Sequence, residues 1–131
     1  MSSHFEKVKE YLLELNFTII QEEEKEGVFV VENEEGGIKN VVLIVAEPIL
    51  IVEQFLFNLS QDSSDVFKRL LMKNRDIIHG AFALDESGSK VLFRNTHECE
   101  NLDLNELEAT LNSLALLLSE YTDEIIAFSK K

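Results

Sequence analysis

The chain has 131 residues, 25 of them acidic and 12 basic, for a formal net charge of −13. That balance repels nucleic acid and anionic membrane surfaces, so neither is expected as a partner. Hydrophobic residues make up 45% of the chain, enough for a packed core and too many for disorder, and the length fits a single domain over 1–131.

Ser3 and Glu6 stand at capping-box spacing, and Phe5, Val8, Leu12 and Leu15 follow on one helical stripe. This predicts an amphipathic helix over 3–16. Its charges are scattered and it has no continuous apolar run, so it does not read as a secretory leader. Residues 17–20 read as a short strand, and the acidic run 21–27 as a solvated turn. Another strand is expected at 28–31, then a turn at 34–37, where glycine permits positive φ.

Residues 41–57, VVLIVAEPILIVEQFLF, are the most apolar segment. A membrane-spanning helix needs about 20 apolar residues. Here Glu47-Pro48 breaks the run at its centre and Glu53-Gln54 interrupts it again. The content of valine, isoleucine and phenylalanine predicts two strands instead, over 39–46 and 49–57, covered on both faces. Ile49, Ile51, Phe55 and Phe57 are expected to point one way, and Leu50, Val52 and Leu56 the other.

After a polar connection at 58–64, where Asp62 or Ser63 has the chemistry of an N-cap, Val66, Phe67, Leu70 and Leu71 predict a second helix over 63–76. Lys68, Arg69, Lys73 and Arg75 place a third of the basic residues on it. A solvated face explains them most simply; the sharper reading is a charge-complementary contact with an acidic partner or a twin subunit. Strands at 80–84 and 90–94 flank the turn 85–89 as a hairpin, and 95–101 reads as irregular.

Leu104, Leu107, Leu111, Leu114, Leu118, Tyr121, Ile125 and Phe128 then form one helical seam. Asp103 is its expected cap, Leu102 and Leu107 its staple, and Lys130 and Lys131 suit its negative end. About 25 residues make a helix about 37 Å long. Only about four heptads are available and they follow a sheet, which favours packing across that sheet over a coiled coil. The expected fold is α+β, in the order α-β-β-β-β-α-β-β-α. It has a single antiparallel sheet with the N-terminal helix and the long C-terminal helix packed on one face.

Groups able to do chemistry are few. His4, His79 and His97 lie far apart in sequence, and no serine occupies a nucleophile elbow. His97 and Cys99 are two ligand types close together, whereas a zinc site takes about four, so the segment reads as an exposed connection. Cys99 is the one cysteine, which excludes an internal disulfide and fits a reducing compartment. The expectation is a cytoplasmic protein with no catalytic residue, no metal and no cofactor.

The second helix alone remains for the far side of the sheet and is too short to hide it. Part of the apolar strand surface is therefore expected to be covered by another chain, either a copy of this one or a client.

The element order, the size and the acidity resemble the type III secretion chaperone-like family, the Tir-chaperone group, and the related YbjN-type domains. The resemblance is carried by Gly80-Ala-Phe-Ala-Leu-Asp85, the Gly88 turn, Val91-Leu-Phe93, and Leu102-Asp-Leu104 opening a Leu-rich helix. It implies a homodimer without enzymatic activity that holds a client or effector segment along apolar patches, often extending a sheet edge with it. On the strand pattern, the client surface is assigned to Val28, Val30, Ile49, Ile51, Phe55 and Phe57, and the dimer contact to Phe67, Leu70 and Leu71. The alternative is a regulatory or small-ligand-binding module on the same scaffold, like YbjN, with no secretion client.

Overall fold

The computed structural model describes residues 3–59 and 64–129. Its elements are α1 (Ser3–Glu14), β1 (Thr18–Glu23), β2 (Val28–Asn33), β3 (Ile38–Ala46), β4 (Ile49–Asn58), α2 (Ser64–Asn74), β5 (Ala81–Leu84), β6 (Lys90–Glu98) and α3 (Leu104–Ser129). The order is the one expected from the sequence. The strands form one antiparallel six-stranded sheet in the order β1-β2-β3-β4-β6-β5. Asp62, Ser63, Lys130 and Lys131, read as cap and dipole partners, lie outside the described residues.

Local chemistry sets the helix ends. Asn16 takes a left-handed φ of 67° after α1. Its N–H donates to Leu13 O at 3.0 Å, and the Phe17 N–H donates to Leu12 O at 3.0 Å, the pairing of a Schellman stop. The stop turns Phe17 inward beside Leu12, and both are buried. Asp103 caps α3, with its Oδ1 accepting the Glu106 N–H at 2.8 Å. Leu102 and Leu107, the staple pair, are both buried.

The core lies between the helices and one face of the sheet. Phe5 of α1 stacks on Phe29 of β2 with ring centroids 4.3 Å apart. Leu107, Leu111, Leu114 and Phe128 of α3 close over Leu50, Val52, Phe57 and Phe93 of the central strands. Two glycines hold close approaches that a side chain would block. At Gly27 (φ 72°) a Cβ would come within 2.5 Å of Val45 O, and at Gly80 (φ 97°) within 2.4 Å of the Phe93 ring.

Three expectations are corrected. The run 21–27 is not all turn, because β1 continues to Glu23. An edge strand tolerates charge, and Glu22 pairs with Lys9 of α1 at 3.1 Å. Residues 95–98 are not irregular, because β6 runs on to Glu98. Asn95 and His97 reach Thr110 of α3, so polar side chains on this strand find partners under the helix. Finally, α2 does not lie over the far side of the sheet. It sits beside β5, with Val66 and Leu70 in the core, and Lys73 reaches Glu124 of α3 at 2.6 Å and lies 4.5 Å from the centre of the Tyr121 ring.

Asn74 fixes that position. Its Oδ1 accepts the Phe82 N–H at 2.7 Å and its Nδ2 donates to Phe82 O at 3.2 Å, which occupies the backbone of the edge strand β5. Asn74→Ala should cost about 1–3 kcal/mol in urea unfolding, since it leaves two part-buried backbone groups without those bonds. A smaller loss would mean that α2 is held by Val66 and Leu70 alone.

Candidate functional site

Pairing within the sheet decides which side chains share a face. The β3–β4 hairpin closes at Ala46 and Ile49 around the two residues Glu47 and Pro48, placing Ile44 opposite Ile51 and Val42 opposite Glu53. On the other side of β3, Val28 faces Ile44 and Val30 faces Val42. Across β4, Phe55 faces Leu92. Val28, Val30, Val42, Ile44, Ile51 and Leu92 are half-buried, while Ile49 and Phe55 are exposed at 40% and 47%. Their neighbours along the strands, such as Phe29, Leu43, Leu50 and Phe93, are buried under the helices. Among the described residues, no helix lies over this second face.

The expectation that β3 and β4 are covered on both sides is therefore corrected; the chain covers one side only. The cause is shared by all three helices, which pack on the same face or flank it.

Five of the six strand residues singled out from the sequence, Val28, Val30, Ile49, Ile51 and Phe55, come together on the uncovered face. Phe57 does not. The pairing register slips between Phe55 and Phe57, so Leu56 is an extra residue in β4 and the side-chain alternation reverses after it. Phe57 is only 4% exposed and lies 6.0 Å from Phe128 between ring centroids. Strict alternation from Ile49 missed the bulge. It also left out Val42, Ile44 and Leu92, although the two-residue Glu47–Pro48 loop carries the register that brings Ile44 to Ile51.

Charge is not spread evenly here. At mid-face, Arg94 Nε donates to Glu53 Oε2 at 2.9 Å across β4 and β6. Lys90 lies 5.9 Å from the centre of the Phe55 ring. At the opposite end Glu23 pairs with Val28 and Glu98 with Ile49, so both carboxylates share the apolar face.

Of the helix residues assigned to a dimer contact, Phe67 and Leu71 are exposed, Leu71 at 70%, whereas Leu70 points into the core at 5%. Leu70 is thus a packing residue of this chain, since its turn of α2 faces Val66 and the sheet. Phe67 and Leu71, with Phe82 and Leu84, line an apolar groove of about 270 Å³ between α2 and β5. Two of the three basic residues on α2 are paired within the chain, Arg69 with Asp65 and Lys73 with Glu124, and Arg75 follows just past the helix end.

The groups with chemical potential serve packing. His97 is not on an exposed connection: its Nε2 stands 2.7 Å from the hydroxyl of buried Thr110 and its Nδ1 3.7 Å from Glu106. Thr110 also accepts from Asn95 Nδ2 at 2.9 Å. Cys99 is buried, and burial followed by the charge of Glu47 pushes its thiol up, away from the reactive thiolate. Among the described residues, no three His, Cys, Asp or Glu side chains group to hold a metal, and no helix is long and apolar enough to cross a membrane.

With this geometry in view, the solved structures define the class. The chain superposes with a TM-score of 0.59 and 20% identity on the Yersinia pestis type III secretion chaperone SycH, solved with a stable fragment of YscM2, over 97% of this chain and 100% of that one. It matches a chain of the HopA1–SchA chaperone–effector complex with a TM-score of 0.60 and 11% identity, covering 97% and 94%. It also matches YbjN of E. coli with a TM-score of 0.63 and 6% identity, covering 91% of each chain. The fold is that of the type III secretion chaperones, shared with YbjN. The CesT_Tir_1 family model matches residues 1–131, and the chain belongs to that family. Among curated proteins, none matches.

Burial holds His97 below the ordinary imidazole value of 6.5, with a further push from His79 and an opposing pull from Glu106. A depressed pKa means that the unfolded chain takes up the proton first. The stability this group contributes is complete above about pH 6.5 and falls as pH drops below it. His97→Gln should flatten the loss of urea stability between about pH 7 and about pH 5.5 relative to the unsubstituted chain. Identical slopes for the two proteins would remove His97 from the acid response.

Proposed function

We propose that this protein is a non-enzymatic, chaperone-like protein of the cytoplasm that acts as a homodimer and holds a segment of a client protein on the uncovered face of its sheet. The observation that carries this reading is the apolar face formed by Val28, Val30, Ile44, Ile49, Ile51 and Phe55 with no helix of the described chain over it. Such a contiguous apolar face gains from any partner that removes it from solvent. Relatives in fold were solved with bound partners, SycH with a fragment of YscM2 and HopA1 with SchA, which supports a protein client over a small metabolite.

For the self-contact, support comes from α2. Phe67 and Leu71 stand out from the helix next to the apolar groove they share with Phe82 and Leu84. Lys68 on this helix and Arg75 just past its end add basic character in a chain of net charge −13, which suits contact with an acidic twin.

Substitutions separate the two surfaces. Ile51→Asp and Phe55→Asp should abolish capture of client protein from the native cytosol while far-UV circular dichroism stays unchanged, because both side chains already face solvent. Client capture by Ile51→Asp at the unsubstituted level would remove the sheet face from the function. Leu71→Asp should convert the protein to a monomer in size-exclusion chromatography with light scattering at micromolar concentration. A monomer before any substitution would overturn the dimer.

A further inference from the structure

The uncovered face carries more than apolar area: along β6 its charges run in one direction, from Lys90 to Glu98. We infer that the face is an oriented track, and that its occupant is an amphipathic client segment with an acidic group at one end of its apolar stripe and a basic group at the other. This rests on the client-holding reading and specifies which segment the site takes and which way round it lies.

The argument follows β6. Lys90, Leu92, Arg94, Thr96 and Glu98 alternate onto the uncovered face, since Leu92 faces Phe55, Arg94 faces Glu53 and Glu98 faces Ile49. The strand thus passes from two cations to an anion, and its ends lie about 27 Å apart at strand rise. Across the sheet the carboxylate end is reinforced. Glu23 of β1 pairs with Val28 and so ends the Val28–Ile44–Ile51 row, whose β6 member is Thr96, while Glu98 stands one row further along beside Ile49.

The midpoint is built rather than accidental. Arg94 and Glu53 form a cross-strand ion pair of 2.9 Å, and it divides the apolar surface in two. One part holds Val28, Ile44, Ile49 and Ile51 beside the carboxylates. The other holds Phe55 and Leu92 beside Lys90, which lies against the Phe55 ring. A uniformly apolar segment would desolvate Lys90 and Glu23 without compensation, whereas Arg94 keeps Glu53 and Glu98 keeps Asn101. A segment with a carboxylate over Lys90 and a cation over Glu23 and Glu98 compensates the charges at both ends, and the reversed orientation places like charges together.

The test uses synthetic amphipathic peptides of about 14 residues, which span about 20 Å when helical. One carries two glutamates at one end of an apolar stripe and two lysines at the other; its control has glutamine at those four positions. The charged peptide should bind the unsubstituted protein about tenfold more tightly, and about 0.5 M NaCl should remove the difference. Lys90→Gln with Arg94→Gln should also remove it, so that the two peptides bind this variant with equal affinity. A nitroxide on the glutamate end should broaden amide signals of Phe55 and Leu92 and spare those of Val28 and Ile49. Equal affinity of the two peptides at low salt, or equal broadening at both ends, overturns the oriented track. If Ile51→Asp also fails to weaken the control peptide, the client-holding reading fails with it; if Ile51→Asp weakens it, only the orientation is lost.

Discussion

One constraint governs this molecule: all its helices serve the same side of the sheet. The α3 seam and the α1 stripe need apolar surface, and Phe29, Leu50, Val52 and Phe93 supply it on a single face. The remaining helix, α2, is kept from the other face because Asn74 holds it to the backbone of Phe82 and Lys73 ties it to α3. Strands that are apolar on both sides are therefore left with one side in contact with solvent. Core formation and surface exposure follow from the same arrangement.

That arrangement also explains why the chain has so little chemistry of its own. Its histidine and cysteine near the end of β6 are built into the helix–sheet seam, where Thr110 and burial quiet them. The charged pairs on its surface fix strand edges and helix ends, as Glu22 does with Lys9. What remains for interaction is shape, apolar area and an uneven distribution of charge. The proposed recognition of another protein would draw on that surface, and the chain belongs to the CesT_Tir_1 family.

Edges matter as much as faces in a single open sheet. At β5 the edge is short, and the Asn74 side chain occupies the N–H and C=O of Phe82. At β1 the edge carries Glu22 and Glu23 and an irregularity between Ile19 and Gln21. Charge and local twist are standard protection against unwanted strand pairing. The face, by contrast, has no such protection along the Ile44–Ile51 row, which marks the difference between a surface defended from partners and one available to them.

The sequence by itself determined the element order, the start of α3, and five of the six apolar strand positions, because these rest on periodicity and on capping within a few residues. The register of β3 on β4 was also legible, since a two-residue loop at Glu47 and Pro48 leaves no slack. Only the tertiary structure decided the rest. A bulge at Leu56 is one extra residue set by pairing with β6, and it sent Phe57 inward without any local sign. The side on which α2 packs depended on Asn74 meeting the backbone of Phe82, eight residues away along the chain and on a different element. Polar residues in β6 looked like loop until a buried threonine on α3 gave them partners. Each of these outcomes comes from a contact between elements, which no pattern within one element contains.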